Sequence, residues 1–260
     1  MIMRKVWLSN DNHPEEYKIM VIPNTTVSVA IATYEMSGRG REFLHQALES
    51  IHDQDYDDLE VVVSDDSRDS EIETECYEWN AKIKIRYHRN DGARIPASKN
   101  FNAAIDKCEG SIIKILCQDD LLASASSISQ TVEGLSHGHV WLVTSYSHID
   151  ENNMILSSHI PKLNPRIERS NSIGSHSGLA FLKERQNQRF DENLFWRMDC
   201  EFYRRLFDNY GKPFFLLPET VCVRQWSGQS TNTIVQRKDR IRELISVTKK
   251  YPRKIDLSRL

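Results

Sequence analysis

Asp119 and Asp120 stand side by side in KILCQDDLLAS (114–124), directly after an apolar run. A second pair, Asp65 and Asp66, ends LEVVVSDDS (59–67) in the same way. Adjacent carboxylates at a strand end suit a hard divalent cation. Mg2+ or Mn2+ takes one or two protein carboxylates and completes its shell with phosphate oxygens and water. Two such clusters at neighbouring strand ends would make a place for a nucleotide diphosphate. The plainer reading is capping, since acids stabilise helix N-termini and DDLLASASSISQTVEGL could begin a helix at the pair.

The elements around these acids say where they must lie. TVSVAIATYE (26–35) is a β-rich run followed by GREFLHQALESI (40–51), whose Phe43, Leu44, Ala47, Leu48 and Ile51 share a helical face. LEVVVSDDS is a second buried strand, and KIKIRYH (82–88) alternates like a half-buried one. PASKNFNAAIDKC (96–108) reads as a helix and SIIKILC (111–117) as the next strand. Strands alternating with helices predict an α/β fold with a mixed, mostly parallel Rossmann-like sheet flanked by helices. Ligands in such sheets sit beyond the carboxyl ends of the strands. Thr33 to Glu35, Asp65 to Ser67 and Gln118 to Asp120 should therefore converge on one edge.

The second half is less regular. HVWLVTSYSHI (139–149) reads as a strand, residues 161–178 as a Pro-, Ser- and Asn-rich connection, and FWRMDCEFYRRLFDNYG (195–211) as a helix stopped by Gly211. From Arg237 to Arg259 nine Lys or Arg residues face three acids, with Ile241, Leu244, Ile245 and Thr248 at helical spacing. This basic amphipathic tail suits a solvated surface helix, an anionic lipid surface or a protein partner.

The chain has 260 residues, of which 39% are hydrophobic and 27% charged, enough for one large domain. A net charge of -3 gives no bulk attraction to nucleic acid. No apolar run reaches the roughly 18 to 20 residues that span a bilayer, and MIMRKVWLSNDNHPEEYKIM has no long apolar stretch of a signal peptide. The expected location is the cytoplasm, with peripheral contact at the inner face of the membrane through 237–259. Five widely spaced cysteines without a CxxC pair suggest neither a disulfide framework nor a zinc site.

In order and spacing, VSVAIATYE, LEVVVSDDS, NDGARIPASKNFNAAIDKCEGSIIKILCQDDLL and MDCEFYRRLFDNYGKPFFLLPE resemble an inverting family 2 glycosyltransferase of the GT-A fold, over roughly residues 27 to 226. The resemblance implies transfer of a sugar from a nucleotide-diphosphate donor, UDP-sugar by preference, to a hydroxyl of a glycan or lipid-linked acceptor. It implies a bacterial surface polysaccharide or similar product and a divalent metal, Mn2+ or Mg2+. The implied domain occupies 26–230, with a nucleotide-binding half (26–123) and an acceptor half (124–230). Residues 1–25 are expected as an arm and 231–260 as the basic helical tail.

The resemblance also assigns residues. Thr33, Tyr34 and Glu35 would meet the nucleoside and Asp65 the base, with Asp66 beside it. Arg94, Lys99 and Asn100 would face the donor. The metal motif of the family, commonly Asp-x-Asp-Asp, reads Cys117-Gln118-Asp119-Asp120 here, so its first acid is missing. Asp119 and Asp120 would hold metal and donor while Cys117 packs or lines the pocket. Inversion needs a general base for the acceptor hydroxyl. Asp199 matches the acid of the corresponding motif, with Met198 where a Glu is usual and Glu201 in reserve. In the loop that would close over the diphosphate, Arg224 would meet phosphate, Trp226 would stack on a sugar face and Ser230 would donate a hydrogen bond, while His176 would touch the acceptor.

Each residue has an ordinary alternative. Thr33 and Tyr34 could simply end a strand, Arg94 and Lys99 could be solvated, and Asp199 and Glu201 could pair with Arg197, Arg204 and Arg205. Trp226 could belong to the core and His176 to a solvated loop. Two other function classes remain open. One is a glycosyltransferase-like binding or scaffold protein that keeps the fold without turnover. The other is a sugar nucleotidyltransferase, against which MSGRGRE (36–42) lacks the lysine of a phosphate-cradling loop.

Overall fold

The computed structural model describes residues 25–185, 187–229, 233 and 236–252. Ser230, nearly all of the expected arm and the end of the tail lie outside the described residues.

Four β-branched runs form the first half of the sheet: β1 (Val27–Thr33), β2 (Leu59–Asp65), β3 (Ile85–Arg89) and β4 (Ile112–Cys117). They pair in parallel in the order β3-β2-β1-β4, with Thr33 opposite Asp65 and Ala32 opposite Cys117. Both faces are covered, which explains why the strands read as continuous apolar runs. Val29 and Ile31 pack toward α1 (Gly40–His52) and α2 (Glu71–Trp79). Ala30, between them, faces α3 (Ala97–Lys107), as the two-residue side-chain period of a strand requires. The acid-rich EIETECYEW of α2 hides its apolar row of Ile72, Cys76 and Trp79, and it is the one helix of this half that sequence reading passes over.

The second half extends the same sheet. It contributes β5 (Leu121–Leu122), β6 (Trp141–Ile149), β7 (Ile155–His159), β8 (Leu179–Leu182) and β9 (Phe214–Arg224). β8 runs antiparallel between β4 and β6, and β6 pairs in parallel with β9. The result is a mixed, mostly parallel sheet of nine strands flanked by helices, in which both predicted halves share one sheet.

Three further helices complete the layers: α4 (Ser127–Ser136), α5 (Met198–Tyr210) and α6 (Arg237–Lys250). α4 begins at Ser127, after β5, so Asp119 and Asp120 cap no helix. α6 is not a free tail, because its Val247 and Glu243 are buried against the domain. Ile241 and Ile245 remain about half exposed, 49% and 50%. Among the described residues no helix is long and apolar enough to cross a membrane.

Candidate active site

A cavity of about 290 Å3 opens beyond the carboxyl ends of β1, β2 and β4 and reaches the start of α5. Tyr34, Asp66, Asp119 and Asp199 line it, as do Arg94, Asn100, Cys117 and His176. Six segments separated in sequence thus meet where an open α/β sheet binds ligands.

At the end of β1 the chain turns through left-handed backbone at Met36 and Ser37, which brings the Met36 side chain into the cavity. Tyr34 is held by the side chain of Gln118. Gln118 Oε1 accepts from the Tyr34 N–H at 3.0 Å, and its Nε2 donates to the Tyr34 carbonyl at 3.1 Å and the Gly40 carbonyl at 2.8 Å. Gly40 is required there, since a Cβ would lie 2.4 Å from the Tyr34 carbonyl oxygen. Glu35 pairs with Arg94, whose guanidinium lies 5.6 Å from the Tyr34 ring centre. Thr33 is fully buried and lines nothing. Its hydroxyl donates to the Ser64 carbonyl, and its own carbonyl accepts from Asn100 Nδ2 and the Asp66 N–H.

The two acids after β2 have opposite environments. Asp65 is fully buried and takes hydrogen bonds from the Ser67 N–H, Ser67 Oγ and Tyr87 Oη, plus an ion pair with Arg89 at 3.2 Å. It does not line the cavity. Asp66 does, at 4% exposure, and while its Oδ2 accepts from the Ile95 N–H at 3.2 Å, its Oδ1 has no partner. A buried carboxylate oxygen left unpaired is costly, so it points to a donor supplied by a ligand. Burial raises the Asp66 carboxyl above its usual range.

Asp119 and Asp120 divide in the same way. Asp119 lines the cavity, and its Oδ2 accepts from Trp226 Nε1 at 2.9 Å. Asp120 lies behind it, with Oδ1 accepting from the Arg224 N–H at 2.9 Å and Oδ2 from Ser177 Oγ at 2.5 Å. Burial raises both carboxyls, and Asp119 raises Asp120 further. A bound cation reverses that cost. One donor atom from each of Cys117, Asp119 and Asp120 lies within 4.8 Å of the others, a spacing that fits a divalent ion.

Asp199 is one of two acids, with Glu201, in the first turn of α5. Its Oδ2 accepts from Asn171 Nδ2 at 2.7 Å, and burial pushes its carboxyl up to about 6. The segment that delivers it is braced from α6: Glu243 accepts the backbone N–H groups of Phe195, Trp196 and Arg197 at 3.0, 2.9 and 2.9 Å. His176 sits on a one-turn 3-10 helix with Nε2 3.2 Å from Cys117 Sγ, and burial pulls its imidazole down to about 4. That turn is tied from below by the buried Lys114, which donates to the Ser177 carbonyl.

The family model for glycosyl transferase family 2 matches residues 28–211, most of the chain and all of the cavity lining except Gln229. The chain belongs to glycosyl transferase family 2. A curated relative, the GalNAc(5)-diNAcBac-PP-undecaprenol beta-1,3-glucosyltransferase of Campylobacter jejuni, is 31% identical over 117 residues, 43% of this chain and 36% of that protein. The match thus spans about a third of the relative's length. S. aureus TarS in complex with UDP-GlcNAc superposes with a TM-score of 0.70 at 17% identity, over 86% of this chain and 66% of TarS. A mannosyltransferase of Pyrobaculum calidifontis, PcManGT, solved with GDP-Man and Mn2+, gives 0.57 at 19% identity, over 92% and 67% of the two chains. At these identities the solved structures establish a shared fold of GT-A type.

Several sequence expectations for this family 2 member change with the geometry. Glu201, the reserve base, is fully buried away from the cavity and binds Arg205 and Lys250, each at 2.7 Å. It ties α6 to α5. Lys99 lies on the exposed side of α3 and does not line the cavity. Arg224 is fully buried behind Asp119, its guanidinium bonded to the Asp119 carbonyl, Gln46 and Asn153, and it does not line the cavity. Trp226 packs edge-on against Phe43 and clamps Asp119 instead of offering a face to a sugar. Four supporting residues escaped sequence reading: Ser177, Asn171, Glu243 and, as a side chain with a role, Gln118. Only Gln118 carried a signal, its place inside the acid motif.

Proposed function

We propose that this glycosyltransferase is inverting and moves a sugar from a nucleotide-diphosphate donor, most simply a UDP-sugar, to a hydroxyl of a glycan or lipid-linked acceptor. The observation that carries the reading is that Asp66, Asp119 and Asp199, three acids in three different environments, line one cavity. The unpartnered Oδ1 of Asp66 suits an N–H of the base, with Tyr34 alongside and Arg94 at the rim. Asp119, with Cys117 and Asp120, would hold a divalent cation, which supplies charge neutralisation to the departing diphosphate. Asp199 takes the proton of the acceptor hydroxyl as that oxygen bonds to the anomeric carbon. The bond from that carbon to the diphosphate oxygen breaks, and its electron pair leaves with the diphosphate.

A lipid-linked acceptor is supported by the named acceptor of the Campylobacter jejuni relative. It is supported as well by α6, where half-exposed Ile241 and Ile245 lie on a helix that also carries Arg237, Lys238, Arg242 and Lys249. Such a face suits peripheral contact with an anionic membrane.

The test is calorimetric titration with UDP and GDP, each with Mn2+ and with EDTA, on the native chain and on Asp199→Asn. Metal-dependent UDP binding retained in Asp199→Asn, together with lost sugar transfer, supports the reading. Binding of neither nucleotide would leave the fold without the enzyme and bring the scaffold alternative forward.

A further inference from the structure

The cation site of this chain differs from an all-oxygen one. Of the three converging donors, the two that line the cavity are Cys117 and Asp119, and Asp120 stands behind with both oxygens already accepting hydrogen bonds. Sulfur therefore occupies a front position. The Cys117 backbone is fixed there by its N–H, which donates to Ser177 Oγ at 2.9 Å, and its Sγ is oriented by His176 Nε2 at 3.2 Å. His176 is in turn wedged edge-on against Phe101 and Phe190, with ring centres 4.9 and 5.9 Å away. The thiol is thus placed by its surroundings toward the cavity. An independent sign that this cavity takes a ligand is the 4%-exposed Asp66, whose Oδ1 is unpartnered in the same enclosure.

We propose that Cys117 binds the divalent cation as a thiolate, giving a mixed sulfur and carboxylate site that prefers softer ions such as Co2+, Zn2+ or Cd2+ to Mg2+. The proposal rests on the metal-assisted reading above and adds the class of ion. The chemistry is that of ligand softness: thiolate favours the later transition metals, whereas Mg2+ holds to oxygen donors and its own water. On binding, the Cys117 S–H proton is released to solvent and the sulfur lone pair forms the metal bond, so no oxidant or reductant is needed. With the metal in place the neutral His176 can donate its Nε2–H to the sulfur, a tuning contact from outside the ligand set.

The probe is Co2+, alone and with UDP, titrated into the full chain and followed by absorption and by calorimetry. The expected result is an intense near-ultraviolet sulfur-to-cobalt charge-transfer band that saturates with bound metal. It should be lost in Cys117→Ser and unaffected by Cys222→Ser, which alters another partly exposed thiol. Cys117→Asp should bind Mg2+ more tightly than the native chain and show no such band. Its thermal melting provides the check on folding. Co2+ binding without the band would overturn the sulfur ligand and leave the Asp119 site standing. Absence of Co2+ and Mn2+ binding, with and without UDP, would overturn both.

Discussion

The Glu243 carboxylate accepts the backbone N–H of Arg197 at 2.9 Å, and with it those of Phe195 and Trp196. A helix expected as a surface tail therefore braces the segment that carries the candidate base. Glu243→Ala should cost about 3 kcal/mol, since hydrogen bonds to a buried charged acceptor are worth roughly 1.5 to 3 each and their loss is only partly additive. Denaturant unfolding measures that cost. Turnover should fall further than nucleotide affinity, because Asp199 moves while Tyr34 and Asp66 do not.

Asp65 and Asp66 should separate cleanly on mutation. Asp65→Ala removes the partner of buried hydrogen bonds and of Arg89, and should destabilise by about 3 to 5 kcal/mol. Asp66→Asn should leave the melting temperature nearly unchanged and weaken nucleotide binding. Calorimetry beside thermal melting distinguishes the two, and equal effects on both quantities would contradict the division of roles.

Burial holds the Asp199 carboxyl up to about 6, and as the proposed base it would work only when ionised. Since the active form lies above that value, kcat/KM should be level near neutrality and fall as pH drops through about 6. Asp199→Asn should abolish this limb and lower turnover by about 100- to 10,000-fold, the usual contribution of a general base. A pH-rate profile at saturating metal measures both.

Trp226 donates to Asp119 Oδ2, a bond that favours the ionised carboxylate against its burial. Trp226→Phe removes the donor while keeping an aromatic ring against Phe43. The Asp119 carboxyl should then rise further, so that cation binding requires a higher pH than in the native chain. Mn2+ titration at several pH values reads the shift, and an unchanged midpoint would show that the clamp does not tune the site.

How far the site was legible follows from the period and hydrophobicity of the strands. The β-branched runs of β1, β2 and β4 require a sheet covered on both faces, so the acids that end them had to meet at one carboxyl edge. The order of the motifs pointed to the family. Composition and local pattern determined that much, because burying those strands leaves few arrangements of the elements between them. The choice within each acid pair was not local. Tyr87 and Arg89 on β3 claim Asp65, and Arg224 on β9 with Ser177 after β7 claims Asp120. The tertiary structure decided that Asp66 and Asp119 face the cavity, that Arg224 and Trp226 stand behind Asp119, and that α6 supports Asp199. The physical reason is that a carboxylate leaving water must find donors, and here those donors come from chain segments far away in sequence.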